Sequence, residues 1–279
     1  MKITNLVIGS DGFVGKYLCN FLKEKGQDII YFDIKHDTKE DARFTDFSTF
    51  KFDRTFLLAW EVGGAKYLYR DDTQFVQLNW NLKILTNTIP QISGKPFLFM
   101  SSPFAEHCDI VYGAIKRLGE VWSALYPTGR VCRLWNVYGV VEEPSIRSHV
   151  ISDFISQALQ NKQIDMLTSG LEKRQFIHIQ DVCTALLIVI ESDSQEIHDI
   201  SSFEWTRIID IADIIAKETG AKINRGFAPG RNISTSNRKP IGNWKPIIKI
   251  EEGLRMLIED TRNYYEQKKA ARQSAKFTL

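Results

Sequence analysis

Long apolar runs, paired cysteines and net charge are all scarce in this sequence. The longest apolar stretches, such as "ALLIVI" at 185–190, fall well short of the ~18–20 residues that a bilayer-spanning helix needs. A helical membrane span is therefore excluded. The four cysteines, Cys19, Cys108, Cys132 and Cys183, are scattered through 279 residues without C-x-x-C spacing or a histidine pattern that would suit zinc. No metal site and no disulfide scaffold is expected, only the reduced thiols of a cytoplasmic protein. With 36 Lys and Arg against 34 Asp and Glu the net charge is +2, too small to mark a nucleic-acid or membrane surface. The start, "MKITNLVIGSDG", runs straight into a short apolar strand with no long h-region, so no secretion signal is expected.

What is present is an ordinary globular balance, 43% hydrophobic and 25% charged, in a chain long enough to bury a substantial core. From residue 2 to about 135, short apolar runs alternate with amphipathic stretches: "ITNLVIG", "FVGKYLCNFLKEKG", "DIIYFD", "TFLLAW", a helical stretch near 73–89, "FLFMSS", "IVYGAIKRLGEVWSALY" and "RVCRLWNVYG". Strands of 4 to 7 residues alternating with helices predict a doubly wound parallel α/β sheet. Beyond Gly139 the pattern loosens, which predicts a smaller, mostly C-terminal α/β lobe with the ligand cleft beside it. The expected division is a dinucleotide-binding domain over 1–139, joined again by a segment near 174–200, a substrate-binding lobe over 140–270, and a polar tail over 271–279.

"VIGSDGFVG" places Gly9, Gly12 and Gly15 in a G-x-x-G-x-x-G spacing, directly after the first strand and opening a helix. Glycines let a backbone turn tightly and approach a pyrophosphate, which then sits at the positive end of the helix. They also suit an ordinary strand-to-helix turn. The dinucleotide is favoured by Asp33, which ends the second strand eighteen residues after Gly15. A carboxylate there bonds the ribose hydroxyls of NAD and repels the extra phosphate of NADP. Lys35 close by softens that preference.

Tyr followed by Lys at i+4 occurs four times: Tyr31 and Lys35, Tyr112 and Lys116, Tyr264 and Lys268, Tyr265 and Lys269. Only the second pair combines an amphipathic helix, on which i and i+4 share a face, with a preceding strand that ends in Ser101 and Ser102. Carboxyl ends of parallel strands are where such sheets bind ligands. The ammonium of Lys116 is expected to lower the pKa of the Tyr112 phenol and turn it into a usable base. Glu106, His107 and Cys108 are further titratable groups on the short connection, either proton donors or incidental loop residues.

These residues together resemble the extended short-chain dehydrogenase/reductase family, in its NAD-dependent nucleotide-sugar epimerase/dehydratase branch. Gly9, Gly12, Gly15 and Asp33 match the cofactor motifs, "LLAWEVGG" resembles a strand-end segment with Trp60 and Glu61 in place of small residues, and Asn79 is matched to an asparagine on the fourth helix. "SS" with "YGAIK", "RLWNVYG", "KRQFIHIQDVCTALL" and "WKPIIKIEEGL" follow in family order.

The resemblance implies a Rossmann-type sheet, NAD rather than NADP, a nucleoside-diphosphate sugar as substrate, and a homodimer paired through the helices flanking the tyrosine, where Trp122 and Tyr126 either join the interface or are buried within the subunit. It implies that Tyr112, Ser102 and Lys116 carry the chemistry, that Lys116 and Asn79 touch the cofactor, and that Ser102, Asn136, Arg174 and Arg231 contact the substrate. The implied reaction is epimerisation through transient oxidation at C4. A 4-keto-sugar reductase or epimerase/reductase is the alternative, and a dinucleotide-binding protein without catalysis a third. Pro103 and Phe104 stand where 4,6-dehydratases carry an acidic pair, which disfavours that reaction, and the connection from Ser102 to Tyr112 is shorter than the family's.

Overall fold

Leu6, Val7 and Ile8 are fully buried, as befits a strand covered on both faces of a parallel sheet. They belong to β1 (Thr4–Ile8) of the computed structural model, which describes residues 2–141, 143–230, 235 and 237–276. The chain continues through α1 (Gly15–Glu24), β2 (Asp28–Phe32), β3 (Arg54–Leu57), a single turn α2 (Ala65–Leu68) and the long α3 (Asp71–Ile92). Next come β4 (Phe97–Ser101), α4 (Val111–Ser123), β5 (Gly129–Leu134), β6 (Asn136–Tyr138), α5 (Val150–Asn161) and β7 (Gln163–Asp165). The rest is β8 (Lys173–Arg174), β9 (Phe176–His178), α6 (Ile179–Glu191), β10 (His198–Ile200), β11 (Thr206–Arg207), α7 (Ile208–Thr219), β12 (Lys222–Asn224) and α8 (Ile250–Lys276).

Two compact units result. The first comprises Met1–Trp135, Ile179–Ser201 and Thr235–Lys245. Its six strands form one parallel sheet in the order β10-β5-β4-β3-β1-β2, the doubly wound Rossmann-type arrangement that the alternation predicts. The chain leaves β1 toward β2 on one side and returns to β3 on the other, so the strand order reverses there, where such sheets take their ligands. Phe32, Phe47, Leu57, Phe97 and Phe99 lead the apolar core on this sheet.

The second unit comprises Asn136–His178, Ser202–Ser234 and Pro246–Leu279. It holds three small two-stranded sheets, β6 with β9, β7 with β12 and β8 with β11. Its own core is built from Ile151, Phe154 and Ile155 of α5, Ile211 and Ile215 of α7, and Leu254 and Leu257 of α8. α8 carries its helical turns as far as Lys276, where the composition predicts a polar tail from 271. No helix among the described residues is long and apolar enough to cross a membrane.

Candidate active site

The glycine turn is shaped by contacts that no side chain could share. Gly9 has φ +96°, in the left-handed region, and a Cβ there would stand 2.6 Å from the Ala59 nitrogen. A Cβ on Gly15 would stand 2.0 Å from the Gly9 carbonyl oxygen. The turn is stitched to the neighbouring strands, Gly9 N donating to Phe32 O at 2.8 Å and Ala59 N to Ile8 O at 2.8 Å. α1 opens from it at Gly15. This cradle would be filled by any Cβ, and the buried Ser10 hydroxyl finds no partner among the described residues. Both observations fit the pyrophosphate of a dinucleotide.

Asp33 follows β2 and is buried beside the turn. Its carboxylate accepts the Asp11 N–H at 2.9 Å and the Lys35 N–H at 2.9 Å. The residue thus fixes the turn while keeping lone pairs on both oxygens for further donors. Asn79, expected at the cofactor, lies two residues before a second asparagine on α3, Asn81. Asn79 is half-buried, and Asn81 reaches the loop that follows β3. Asn81 is fully buried, accepts the Glu61 N–H at 2.7 Å and donates to the Glu61 carbonyl at 3.1 Å. The signal was the helical period: Asn81 shares a face with the buried Gln77, Ile84 and Leu85.

α4 presents Tyr112, Lys116 and Glu120 at successive fourth positions, along one face. Ser102, at the exit of β4, accepts the Phe104 N–H at 3.3 Å, capping the turn Pro103–Glu106. The Phe104 ring lies edge-on to Tyr112 at 5.9 Å. Gly113 makes the short connection possible: a Cβ there would stand 2.2 Å from the His107 oxygen and 2.3 Å from that of Phe104.

The expected electrostatics of the pair need correction. Burial pushes the Tyr112 phenol up to about 12, with the Ser102 hydroxyl pulling the other way. Lys116 is 3% exposed, and burial brings its ammonium down to about 7, against the opposing pull of Cys132 and Glu120. Its Nζ donates to the Met100 carbonyl at 2.6 Å and lies 3.8 Å from the Trp60 ring centroid. The ammonium is therefore turned toward a carbonyl and an indole, and it is Ser102 that favours the phenolate.

A buried ionic network supports this helix, and the sequence reading missed it. Glu120 accepts from Ser101 Oγ at 2.7 Å and, through both oxygens, from Arg133 Nε at 2.7 Å and Nη2 at 3.0 Å. Burial raises the Glu120 carboxyl, but the hydrogen bonds from Arg133, Ser101 and Arg117 outweigh it and leave the group below its ordinary value. Arg133 also donates to Glu106 at 2.6 Å. Glu106 is thereby an anchor for the short connection and not a free acid. His107 Nε2 is buried without a partner among the described residues, while Cys108 is exposed. Glu120 lies four residues after Lys116, so the shared face was visible in the sequence, but its partner on β5 was not.

The remaining expected residues belong to the second unit. Asn136 spends its amide on the Gln175 carbonyl at 3.0 Å, joining β6 to β9. Arg174 lies half-buried in β8 and donates to the Lys173 carbonyl at 2.7 Å. Arg231 lies outside the described residues. Among the described residues no cluster of His, Cys, Asp or Glu could hold a metal ion.

Residues 5–201 match the family model described as the NAD dependent epimerase/dehydratase family. A putative UDP-glucose 4-epimerase of Methanocaldococcus jannaschii is 27% identical over 164 residues, 54% of this chain and 53% of that protein. A dTDP-L-rhamnose 4-epimerase of Burkholderia thailandensis is 31% identical over 159 residues, 52% of this chain and 44% of that protein. The chain thus spans about half the length of these curated relatives. Among solved structures, an epimerase of Methanothermobacter thermautotrophicus superposes with TM-score 0.79 at 21% identity, covering 95% of this chain and 94% of that one. A UDP-glucose 4-epimerase of Thermotoga maritima, solved with UDP-glucose, gives TM-score 0.76 at 21% identity over 94% of this chain and 100% of that one. At such identity these two likenesses show the fold.

Proposed function

We propose that this chain, which belongs to the NAD dependent epimerase/dehydratase family, is an NAD-dependent epimerase that inverts C4 of a nucleoside-diphosphate sugar through transient oxidation. The observation that carries the reading is the placement of Ser102 at the carboxyl end of β4, capping the turn whose Phe104 ring packs on Tyr112, with the desolvated Lys116 one helical turn beyond the phenol. The 4-epimerases among the similar proteins, one named for UDP-glucose and one for dTDP-L-rhamnose, support the same class of substrate.

NAD, when bound, supplies a hydride acceptor that can return the hydride. The side chains do the rest. Tyr112 takes the proton of the sugar hydroxyl whose carbon loses the hydride and Ser102 holds the same oxygen; the keto-sugar then turns in the site, and Tyr112 returns the proton as the hydride is delivered to the other face. A phenol at about 12 is a weak base at neutral pH, so bound positive charge must favour the phenolate. Lys116, whose ammonium faces the Met100 carbonyl and the Trp60 ring, would supply it on turning toward the phenol. Gly9, Gly12 and Gly15 hold the pyrophosphate, and Asp33 selects NAD over NADP. Asn136, Arg174 and Arg231 hold the substrate's nucleotide diphosphate and sugar.

Incubation with UDP-, dTDP- and GDP-sugars, followed by chromatography, tests the reading. Conversion to the C4 epimer without net loss of NAD is expected, with turnover abolished in Tyr112→Phe. Full turnover in that variant would overturn the mechanism, and stoichiometric consumption of NADH would mean a net reductase instead.

We also propose a homodimer. α3 packs on α4, and each exposes an apolar stripe at i, i+3, i+7 spacing: Phe75, Leu78 and Leu82 on α3, and Leu118, Val121 and Leu125 along and just past α4. Trp122 and Tyr126 pack on the unit's own core, Tyr126 edge-on to Phe97 at 6.2 Å. The stripes are the surface for a second copy.

A further inference from the structure

Trp60 stands on the path from the glycine turn to Lys116. It directly follows Ala59, whose nitrogen is the nearest neighbour of a Cβ built on Gly9. Its indole lies under the Lys116 ammonium, with the Phe99 ring edge-on behind it at 5.6 Å. Among the described residues the only hydrogen-bond acceptor of Lys116 is the Met100 carbonyl, so the indole face serves a cation with three donors. The indole N–H is itself buried without an acceptor among the described residues. The main chain after Trp60 is clamped at Glu61 by both polar ends of the Asn81 amide. Only the side-chain torsions of Trp60 are therefore left to move.

A dinucleotide whose pyrophosphate sits on the glycine turn, and whose far ribose reaches Lys116, meets this indole on the way. We propose that Trp60 competes with the nicotinamide riboside for Lys116 and so sets how tightly that half of the dinucleotide is held, leaving the adenosine half untouched. The inference rests on the NAD reading above. It makes Trp60 a positioning residue that acts through Lys116.

Calorimetric titration of NAD and, separately, of ADP into the wild type, Trp60→Phe and Trp60→Ala tests it. Removing a desolvated cation–aromatic contact should tighten NAD binding by about 3- to 30-fold in Trp60→Ala and by less in Trp60→Phe. ADP, which lacks the nicotinamide riboside, should bind all three equally. Tryptophan fluorescence of the wild type should change with NAD and not with ADP, and Trp60→Phe should lose that change. Trp60→Phe keeps a ring beneath Lys116, so it carries the test if the alanine variant does not fold. Equal or weaker NAD binding in both variants, or ADP affinity moving in parallel, overturns the inference while leaving the NAD reading intact. A wild type that binds neither NAD nor ADP overturns the NAD reading and the inference with it.

Discussion

Arg133 grips Glu120 through a fork, Nε to Oε1 at 2.7 Å and Nη2 to Oε2 at 3.0 Å, with both side chains almost wholly out of water. The pair joins β5 to α4 one turn below Lys116, and Ser101, the sheet partner of Arg133, reaches the same carboxylate. A buried pair of this kind adds little over apolar packing, but breaking it strands a charge. Arg133→Met should therefore cost about 3–5 kcal/mol in urea unfolding. The double variant Arg133→Met with Glu120→Leu should cost less than the two single changes together.

Gly113 lets the short connection lie against α4, its missing Cβ leaving room for the His107 and Phe104 oxygens. Gly113→Ala must push that connection away from Tyr112. A loss of about 1–3 kcal/mol is expected from overpacking, measured by thermal unfolding. Amide exchange should rise over residues 103–110 and not in β1 or β2. Unchanged exchange over 103–110 would count against this account of the connection.

The desolvated lysine has a pH signature. Its pKa is lowered from 10.5 to about 7 in the folded chain, so between those values the unfolded chain binds a proton that the folded chain does not. Stability from this group consequently rises with pH across that window and is lost as pH falls toward 7. Tyr112, raised from 10.0 to about 12, acts in the opposite sense above pH 10, which leaves pH 7 to 9 as the clean range. There the wild type should gain about 1 kcal/mol per pH unit relative to Lys116→Met, measured by urea unfolding at pH 7, 8 and 9. Parallel curves would mean that Lys116 stays charged in the fold.

Phe75 and Leu125 are 74% and 73% exposed, costly surface for an isolated chain. Phe75→Glu with Leu125→Glu should convert a dimer into a monomer, read by light scattering, without lowering the melting temperature of the monomeric unit. Trp122→Phe should leave the dimer intact, because that ring faces the core. A wild type monomeric across the micromolar range would defeat the pairing.

Much of this molecule is legible along the chain because its signals are local. The strand, glycine turn and helix around Gly9, Gly12 and Gly15 follow from backbone sterics that depend on a few adjacent residues. Tyr112, Lys116 and Glu120 share a face by helical period alone, and the serines precede them on one strand. Only the tertiary structure decides which groups those side chains meet. Asn81 clamps the loop after β3 at Glu61, Glu106 is bound by an arginine 27 residues away, and the Lys116 ammonium faces the Met100 carbonyl and the Trp60 ring. In each case the partner lies on another strand, helix or loop, and burial, which the sequence does not state, changes the energy of the charge. The return of Thr235–Lys245 to the first unit has no local signal for the same reason. Local spacing determines the candidate chemistry, and long-range packing in a low-dielectric interior determines how each group is tuned.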